Sequence, residues 1–240
     1  PTRRYVIIRV SPDDTIERVK VITGADLAPL DTTGTLTRKY QARVVIRDHP
    51  AEPNTLEDTD NLKPLVDKSS NQAFFENSPT DYPSVKALLP IAEIYERLHS
   101  LVGHTFRDSG YDQERTRGAL LHQLVCEHLG YRYYRDDGRF PDVRHQLVEV
   151  KLQTSPTIDL GLVRPDSEDP LDIPRIEDRQ IRFCDVRYAI FHAQIEKENI
   201  TVAQLFLTTG KYFFKRFSQF QGNVLNLKLQ IPLPRDFFDR

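Results

Sequence analysis

Two cysteines, Cys126 and Cys184, are too few for a disulfide scaffold, and their spacing fits no cysteine-rich zinc site. No apolar run approaches the roughly 20 residues that a bilayer span needs, so no membrane partner is expected. The opening stretch PTRRYVIIRV lacks an apolar segment followed by a small-residue cleavage site, and a cytoplasmic, reducing compartment is the expectation. Strong charge of either sign is absent as well. The formal net charge is −2, which does not by itself advertise a nucleic-acid partner. Internal repeats and low-complexity tracts are missing too. What is present is a 240-residue chain, 39% hydrophobic and 28% charged, enough for one elaborated globular domain or a core with a small extra module.

The small net charge hides an uneven distribution. Arginines outnumber lysines 23 to 10, and arginine is the side chain of bidentate phosphate and guanine contacts. Residues 51–82 hold seven acids (Glu52, Glu57, Asp58, Asp60, Asp67, Glu76 and Asp81) against Lys63 and Lys68, a sum of −5 that leaves +3 for the other residues. One basic cleft on an otherwise acidic body is compatible with that division. The acidic segment is expected to sit away from any bound phosphate.

Runs of β-branched residues at 5–10 and 16–23, separated by Ser11-Pro12-Asp13-Asp14, predict two strands around a turn. A third β run is expected over 35–47. Residues 48–83 are polar, without a sustained period, and read as a long irregular excursion. Pro90 suits the first turn of a helix, whose apolar stripe is Ile91, Ile94, Tyr95, Leu98, Leu101 and Val102, stopped by Gly103. A second helix is predicted over 112–129, turning Gly118, Leu121, His122, Val125 and Leu129 inward. Strands are predicted at 131–134, 146–153, 182–194 and 201–208, with a Pro- and acid-rich loop at 154–178. A short basic-aromatic helix over 211–217 and a last strand over 224–231 close the chain. The class is α/β of the α+β kind, with a β-rich extension over 1–83, expected to serve as a dimerisation or DNA-contacting arm, and a core over 84–240.

Chemistry concentrates in FPDVRHQLVEVKLQTSP, residues 140–156. Side chains alternate across a strand, so Val148, Val150 and Leu152 face a core while Glu149, Lys151 and Gln153 face the other way. A turn at Arg144-His145 would bring Asp142 alongside Glu149. Two carboxylates with a lysine two residues on suit metal-assisted phosphodiester hydrolysis. Magnesium takes hard oxygen ligands and keeps several waters, so Asp142, Glu149 and the Val150 carbonyl are a sufficient metal set. Lys151 would orient or help deprotonate a metal-activated water, and would offset charge on the transition state. By itself, Glu-x-Lys on an amphipathic strand is more often a solvated face with a weak ion pair.

The pattern Pro141-Asp142 followed by Glu149-Val150-Lys151 resembles the PD-(D/E)XK nuclease superfamily. The flanks RTRGALLHQLV, GRFPDVRHQLVEVKLQTSPTIDLG and GNVLNLKLQIPLP look like bacterial type II restriction endonucleases. The resemblance covers about 112–160, is weaker over 180–235 and does not extend to 1–83. It implies a restriction-endonuclease-like mixed central sheet flanked by helices, with residues 84–240 as the nuclease core. It also implies Mg2+-dependent, sequence-specific hydrolysis of double-stranded DNA, usually by a homodimer, and a Gln153 beside the site, which reads equally as a strand-end amide capping an edge. Relatives commonly carry a helix acid four residues after the glycine, where this chain has His122. Either Glu114, a turn before Gly118 on the same face, substitutes for it or the site manages with two carboxylates, and a buried, hydrogen-bonded core histidine is the plainer account of His122.

Several other residues carry two readings. Lys211, Lys215 and Arg216 interleave with Phe213, Phe214 and Phe217, as on a helix with a phenylalanine core face or one that touches phosphates. Asp185 and Arg187 alternate on an expected strand, where buried opposite charges need partners; Arg187 supports the site or touches a phosphate if buried near Glu149, and is surface if wet. Arg144 and His145 flank the turn and could touch a DNA backbone. Arg135 and Arg139 stay uncommitted, and Cys126 is expected to be inert among helix core residues. The rivals to a restriction enzyme are another nuclease of the superfamily, such as a repair or structure-specific nickase, and a non-catalytic DNA-binding module.

Overall fold

The computed structural model describes residues 4–30, 40–43, 55, 57–67, 74, 76–107, 114–196, 198–219, 233–234 and 236–239. The chain divides into two compact units, Pro1–Lys39 with Leu225–Arg240, and Tyr40–Val224. No helix among the described residues is long and apolar enough to cross a membrane.

In the first unit, β1 (Arg4–Val10) and β2 (Ile16–Thr23) pair antiparallel. Valine and isoleucine suit a pleated ribbon because their χ1 is already restricted. The turn between them is held by Ser11, whose backbone N–H donates to the Thr15 carbonyl at 2.9 Å, while Asp14 takes the left-handed conformation at φ 60°. A bulge between Arg9 and Val10 sets Glu17 outside the register, where its carboxylate meets Arg9 Nε at 3.0 Å. Tyr5, Ile7 and Ile22 turn to a small core with Leu27 of α1 (Gly24–Leu27), Leu30, Phe237 and Phe238.

The second unit runs β3 (Tyr40–Arg43), α2 (Ile91–His99), β4 (Thr105–Arg107), α3 (Glu114–Leu129), β5 (Val148–Gln153), β6 (Thr157–Gly161), β7 (Arg187–Glu196), β8 (Asn199–Thr209), α4 (Phe213–Arg216) and β9 (Ser218–Gln219). The main sheet has the order β4-β8-β7-β5, with β5 parallel to β7 and the other pairs antiparallel. A second, antiparallel sheet has the order β6-β3-β9. Residues 187–191 of β7 are buried without alternation, as a strand covered on both faces must be. Ala189 and Phe191 join the α2 and α3 side, with Ile94, Leu98, Leu121 and Val125. Tyr188 and Ile190 join the opposite side, with Ala42, Ile158, Phe206, Phe213 and Phe217. The unit is mixed α/β, and β5 is an edge strand of its main sheet.

Several expectations are corrected. The expected boundary at 83 does not match the division at 39/40, because the segment expected as an irregular excursion is built into the second unit. Leu62 and Leu65 are wholly buried in its core, and Phe74 and Leu88 are buried too. Asp58 is buried as well, so the acidic stretch does not simply stand off in solvent. Residues 131–134 form only a bridge, Phe74 to Tyr131, rather than a strand. The loop expected over 154–178 contains β6, whose alternating half-buried and buried pattern feeds the core. The strand expected from 182 begins at Arg187, because residues 183–185 coil into a 3-10 turn whose start is capped by the Asp185 carboxylate. The phenylalanine reading of α4 holds: Phe213 and Phe217 are buried, and Arg216 lies over the Phe206 ring at 4.9 Å. The expected strand over 224–231 and most of the third β run lie outside the described residues, as do Lys197 and residues 108–113.

Candidate active site

The edge strand β5 and the chain just before it form a tight loop back. Val143 and Val148 exchange backbone hydrogen bonds at 2.8 and 3.1 Å. Residues 144–146 make a 3-10 turn between them, and Leu147 closes it in the left-handed region at φ 53° and ψ 41°. A leucine pays strain there, so other contacts must hold the turn. Gln146 does so through its side chain, accepting from the Leu89 N–H at 2.8 Å and donating to the Ala87 carbonyl at 2.8 Å. Its own carbonyl accepts from Arg187 Nη1 at 3.0 Å. Arg144 grips the Asp137 carboxylate with bonds of 2.7 and 2.8 Å and donates to the Thr80 carbonyl. His145 Nδ1 lies 2.8 Å from the Tyr131 hydroxyl. Arg144 and His145 are both buried, which goes against the reading in which they touch a DNA backbone from the turn.

This loop back interlocks the two acids. The Asp142 N–H donates to the Glu149 carboxylate at 3.2 Å, and the Val150 N–H donates to the Asp142 carboxylate at 2.9 Å. Lys151 Nζ meets the other Glu149 oxygen at 2.5 Å. Glu149 and Lys151 share a strand face as expected, but Glu149 is buried rather than wet. Val150 and Leu152 pack on the helix side, with Val148.

Burial is the dominant influence on the charges here. It pushes the Glu149 carboxyl up to about 7 despite the attraction of Lys151. The same burial moves Asp142 above the ordinary carboxylate range, against the pull of Lys151 and the Val150 hydrogen bond. For Lys151, burial works against the ammonium, yet the Glu149 and Asp142 carboxylates outweigh it and hold its pKa above the ordinary value. The lysine therefore stays charged at neutral pH. One ammonium faces two acids, and the second acid lacks a full cationic partner of its own.

A cavity of about 720 Å³ opens beside these groups, lined by Gly118, Ala119, His122, Asp136, Asp142, Val150 and Lys151. The N-terminal half of α3 thus borders it. Glu114 opens that helix, but its side chain lies outside the described residues. His122 is buried, packs edge-on against Tyr134, and has a buried Nε2 with no hydrogen-bond partner among the described residues. It is therefore not the fully hydrogen-bonded core histidine expected, and burial lowers its pKa. Gln153 ends β5 opposite His192, half-buried, and is not among the residues lining the cavity.

Among the described residues, no three His, Cys, Asp or Glu side chains gather as a metal-holding group. The donors on offer are the Asp142 and Glu149 carboxylates and backbone oxygen such as that of Val150. Those are hard donors, and the set suits a partly hydrated Mg2+ rather than zinc. Carboxylates held toward their neutral forms are also groups that a dication would drive to ionise. Cys126 takes no part, because burial pushes its thiol up to about 12.

Asp58, Gln146 and Arg187 support this site without touching its cavity, and sequence reasoning missed the first two. Arg187 is wholly buried. Its partners are Asp58, at 2.7 Å, and the Gln146 carbonyl, rather than Glu149 or a phosphate. Asp185 is answered by the Thr59 hydroxyl at 2.6 Å and the Asn61 amide at 2.8 Å. The visible signal was a pair of charges in an otherwise apolar β region, which demanded partners without naming them. Comparison with protein-family models, curated proteins and solved structures finds no match to this chain.

Proposed function

We propose that this protein is a Mg2+-dependent deoxyribonuclease, a type II restriction endonuclease that hydrolyses phosphodiester bonds in double-stranded DNA at a specific sequence. The observation that carries the reading is the interlock of Asp142 with Glu149, with Lys151 on the latter's second oxygen, beside an open cavity. Asp142, Glu149 and the Val150 carbonyl would hold the ion. When bound, Mg2+ supplies polarisation of the scissile phosphate and a water of lowered pKa. Lys151, whose ammonium the Glu149 and Asp142 carboxylates favour, offsets charge on the phosphate as it builds up. The hydrogen bonds of Gln146, Arg144 and Arg187 hold the turn that keeps the two acids in place. A twofold dimer would match the symmetry of a palindromic site.

Digestion of a large phage DNA with and without Mg2+, followed by mapping of the ends, tests this. A ladder of defined bands that needs Mg2+ and disappears in Glu149→Ala and Lys151→Ala supports it. Nicking or branch cleavage would point to a different nuclease of the same chemistry. Duplex binding with no cleavage, unchanged in both variants, would point to a non-catalytic DNA-binding module.

A further inference from the structure

Three rungs of β-branched residues cover one face of the β1–β2 ribbon: Val6 opposite Val21, Ile8 opposite Val19, and Val10 opposite Ile16. All six are 41–60% exposed, while the intervening Tyr5, Ile7 and Ile22 turn to the core of their own unit. Six half-exposed aliphatic side chains amount to roughly 500 Å² of contiguous apolar surface, at the upper end of what a monomer shows. The charge at the two ends of the ladder differs. Arg4 lies beyond the Val6–Val21 rung, whereas Asp13 and Asp14 lie in the turn beyond the Val10–Ile16 rung.

We infer that this face packs against the same face of a second copy of the chain, about a twofold axis through the Ile8–Val19 rung. Val6 and Val10 stand two residues either side of Ile8, so the rotation lays each outer rung of one copy over the opposite outer rung of the other. It also sets Arg4 of each copy against the acidic turn of its partner, a complementarity that the parallel arrangement would reverse into repulsion. Two aligned sheets packed in this way lie about 10 Å apart with interdigitating side chains. The paired area, on the order of 1,000 Å², reaches the lower end of specific interfaces. A nucleic-acid groove fits the face badly. Six aliphatic side chains offer base edges no donor or acceptor, and the acidic turn repels phosphate. The inference rests on the proposed function only for the expectation of two copies; the surface itself is read from the ribbon.

Sedimentation velocity on the full chain, without DNA or metal, tests it. The wild-type chain is expected to run as a dimer at micromolar concentration. Ile8→Lys with Val19→Lys places four like charges at the axis and is expected to weaken pairing by at least about 100-fold. Arg4→Glu is expected to weaken it about 10-fold, with the loss shrinking at high salt. Ile8→Val should leave the mass unchanged, and circular dichroism confirms that each variant is folded. A monomeric wild-type chain overturns the inference, whether the face is bare or covered by the same chain. So does a dimer that survives the double lysine change. Mass is read here without activity, so a failure leaves the hydrolytic reading standing, and a failure to cleave leaves the measured mass as it is.

Discussion

Asp58 Oδ1 and Arg187 Nε meet at 2.7 Å across 129 residues of chain, with both side chains buried. The second Asp58 oxygen accepts from the Ile91 N–H at 3.0 Å, at the start of α2. Arg187 Nη1 donates to the Gln146 carbonyl at 3.0 Å, while Nη2 has no partner among the described residues. One ion pair therefore ties together the first turn of α2, the turn before β5 and the first residue of β7. Asp58 also satisfies a helix N–H that α2, starting after Pro90, leaves open.

Removing one member of that pair strands the other in the core. Arg187→Met is expected to cost about 3–5 kcal/mol, and Asp58→Asn a comparable amount. The double change should lose less than the sum of the two by at least about 1 kcal/mol, because neither charge is then left alone. Urea denaturation of the four proteins measures the cycle. Additive losses would show that the two side chains do not stabilise each other.

Lys151→Met keeps most of the apolar stem and removes the ammonium beside Glu149. Cleavage should fall by roughly 10²- to 10³-fold, the usual loss of one transition-state electrostatic group, while DNA binding in the presence of Ca2+ stays within a few-fold. Lys151→Arg should recover little, because the guanidinium fork is wider than the point charge it replaces. Single-turnover cleavage assays separate the two steps. A Lys151→Met enzyme that cuts at the wild-type rate would remove the lysine from the mechanism.

The raised Glu149 carboxyl predicts an unusual pH dependence of stability. Its folded pKa lies at about 7 against an ordinary 4.5, with burial as the main cause. Between those values the folded protein keeps a proton that the unfolded chain gives up. The contribution of this group to stability thus falls as pH rises from about 4.5 to 7 and stays low above that. In chelator, the Tm should be lower at pH 8 than the other titrating groups account for, and Glu149→Gln should flatten this part of the profile. Added Mg2+ should raise the Tm more at pH 8 than at pH 5.5, since ion binding needs the carboxylates ionised. An equal Mg2+ shift at both pH values would argue against Glu149 as a ligand.

Gly210 follows β8 where the backbone passes close to two other strands of chain. A Cβ there would come within 2.2 Å of the Pro165 carbonyl oxygen and 2.7 Å of that of Phe183. The Gly210 N–H also donates to the Val186 carbonyl at 2.7 Å, so the backbone has little room to retreat. Gly210→Ala should therefore destabilise by about 2 kcal/mol or more, seen as a lower denaturation midpoint with unchanged slope. A variant of wild-type stability would show that the close approach relaxes freely.

The features legible in the sequence are short-range ones. The β1–β2 pair follows from two β-branched runs around a turn, and α2 and α3 from apolar residues at helical spacing, with α3 closed by Gly130 and α2 ending at His99, short of the expected stop at Gly103. The approach of Asp142 to Glu149 is likewise local, since one turn brings residues seven apart together. The alternation in β6 was also present at 157–161, but the proline and acid content around it reads as loop. No sequence pattern distinguishes Asp58 from its six acidic neighbours in 51–82, or shows that Arg144 and His145 turn inward.

The sequence alone determined which face of β5 carries Glu149 and Lys151, because alternation along a strand is a property of the backbone. Only the tertiary structure decided how far those groups are buried, and hence that Glu149 holds its proton near neutrality while Lys151 stays charged. It also decided that an acidic segment would supply Asp58, Thr59 and Asn61 as partners for the charges of Arg187 and Asp185. Periodicity records which side of an element a residue lies on. Desolvation and charge pairing depend on what distant chain covers that side, and their strength is set by the low dielectric that covering creates.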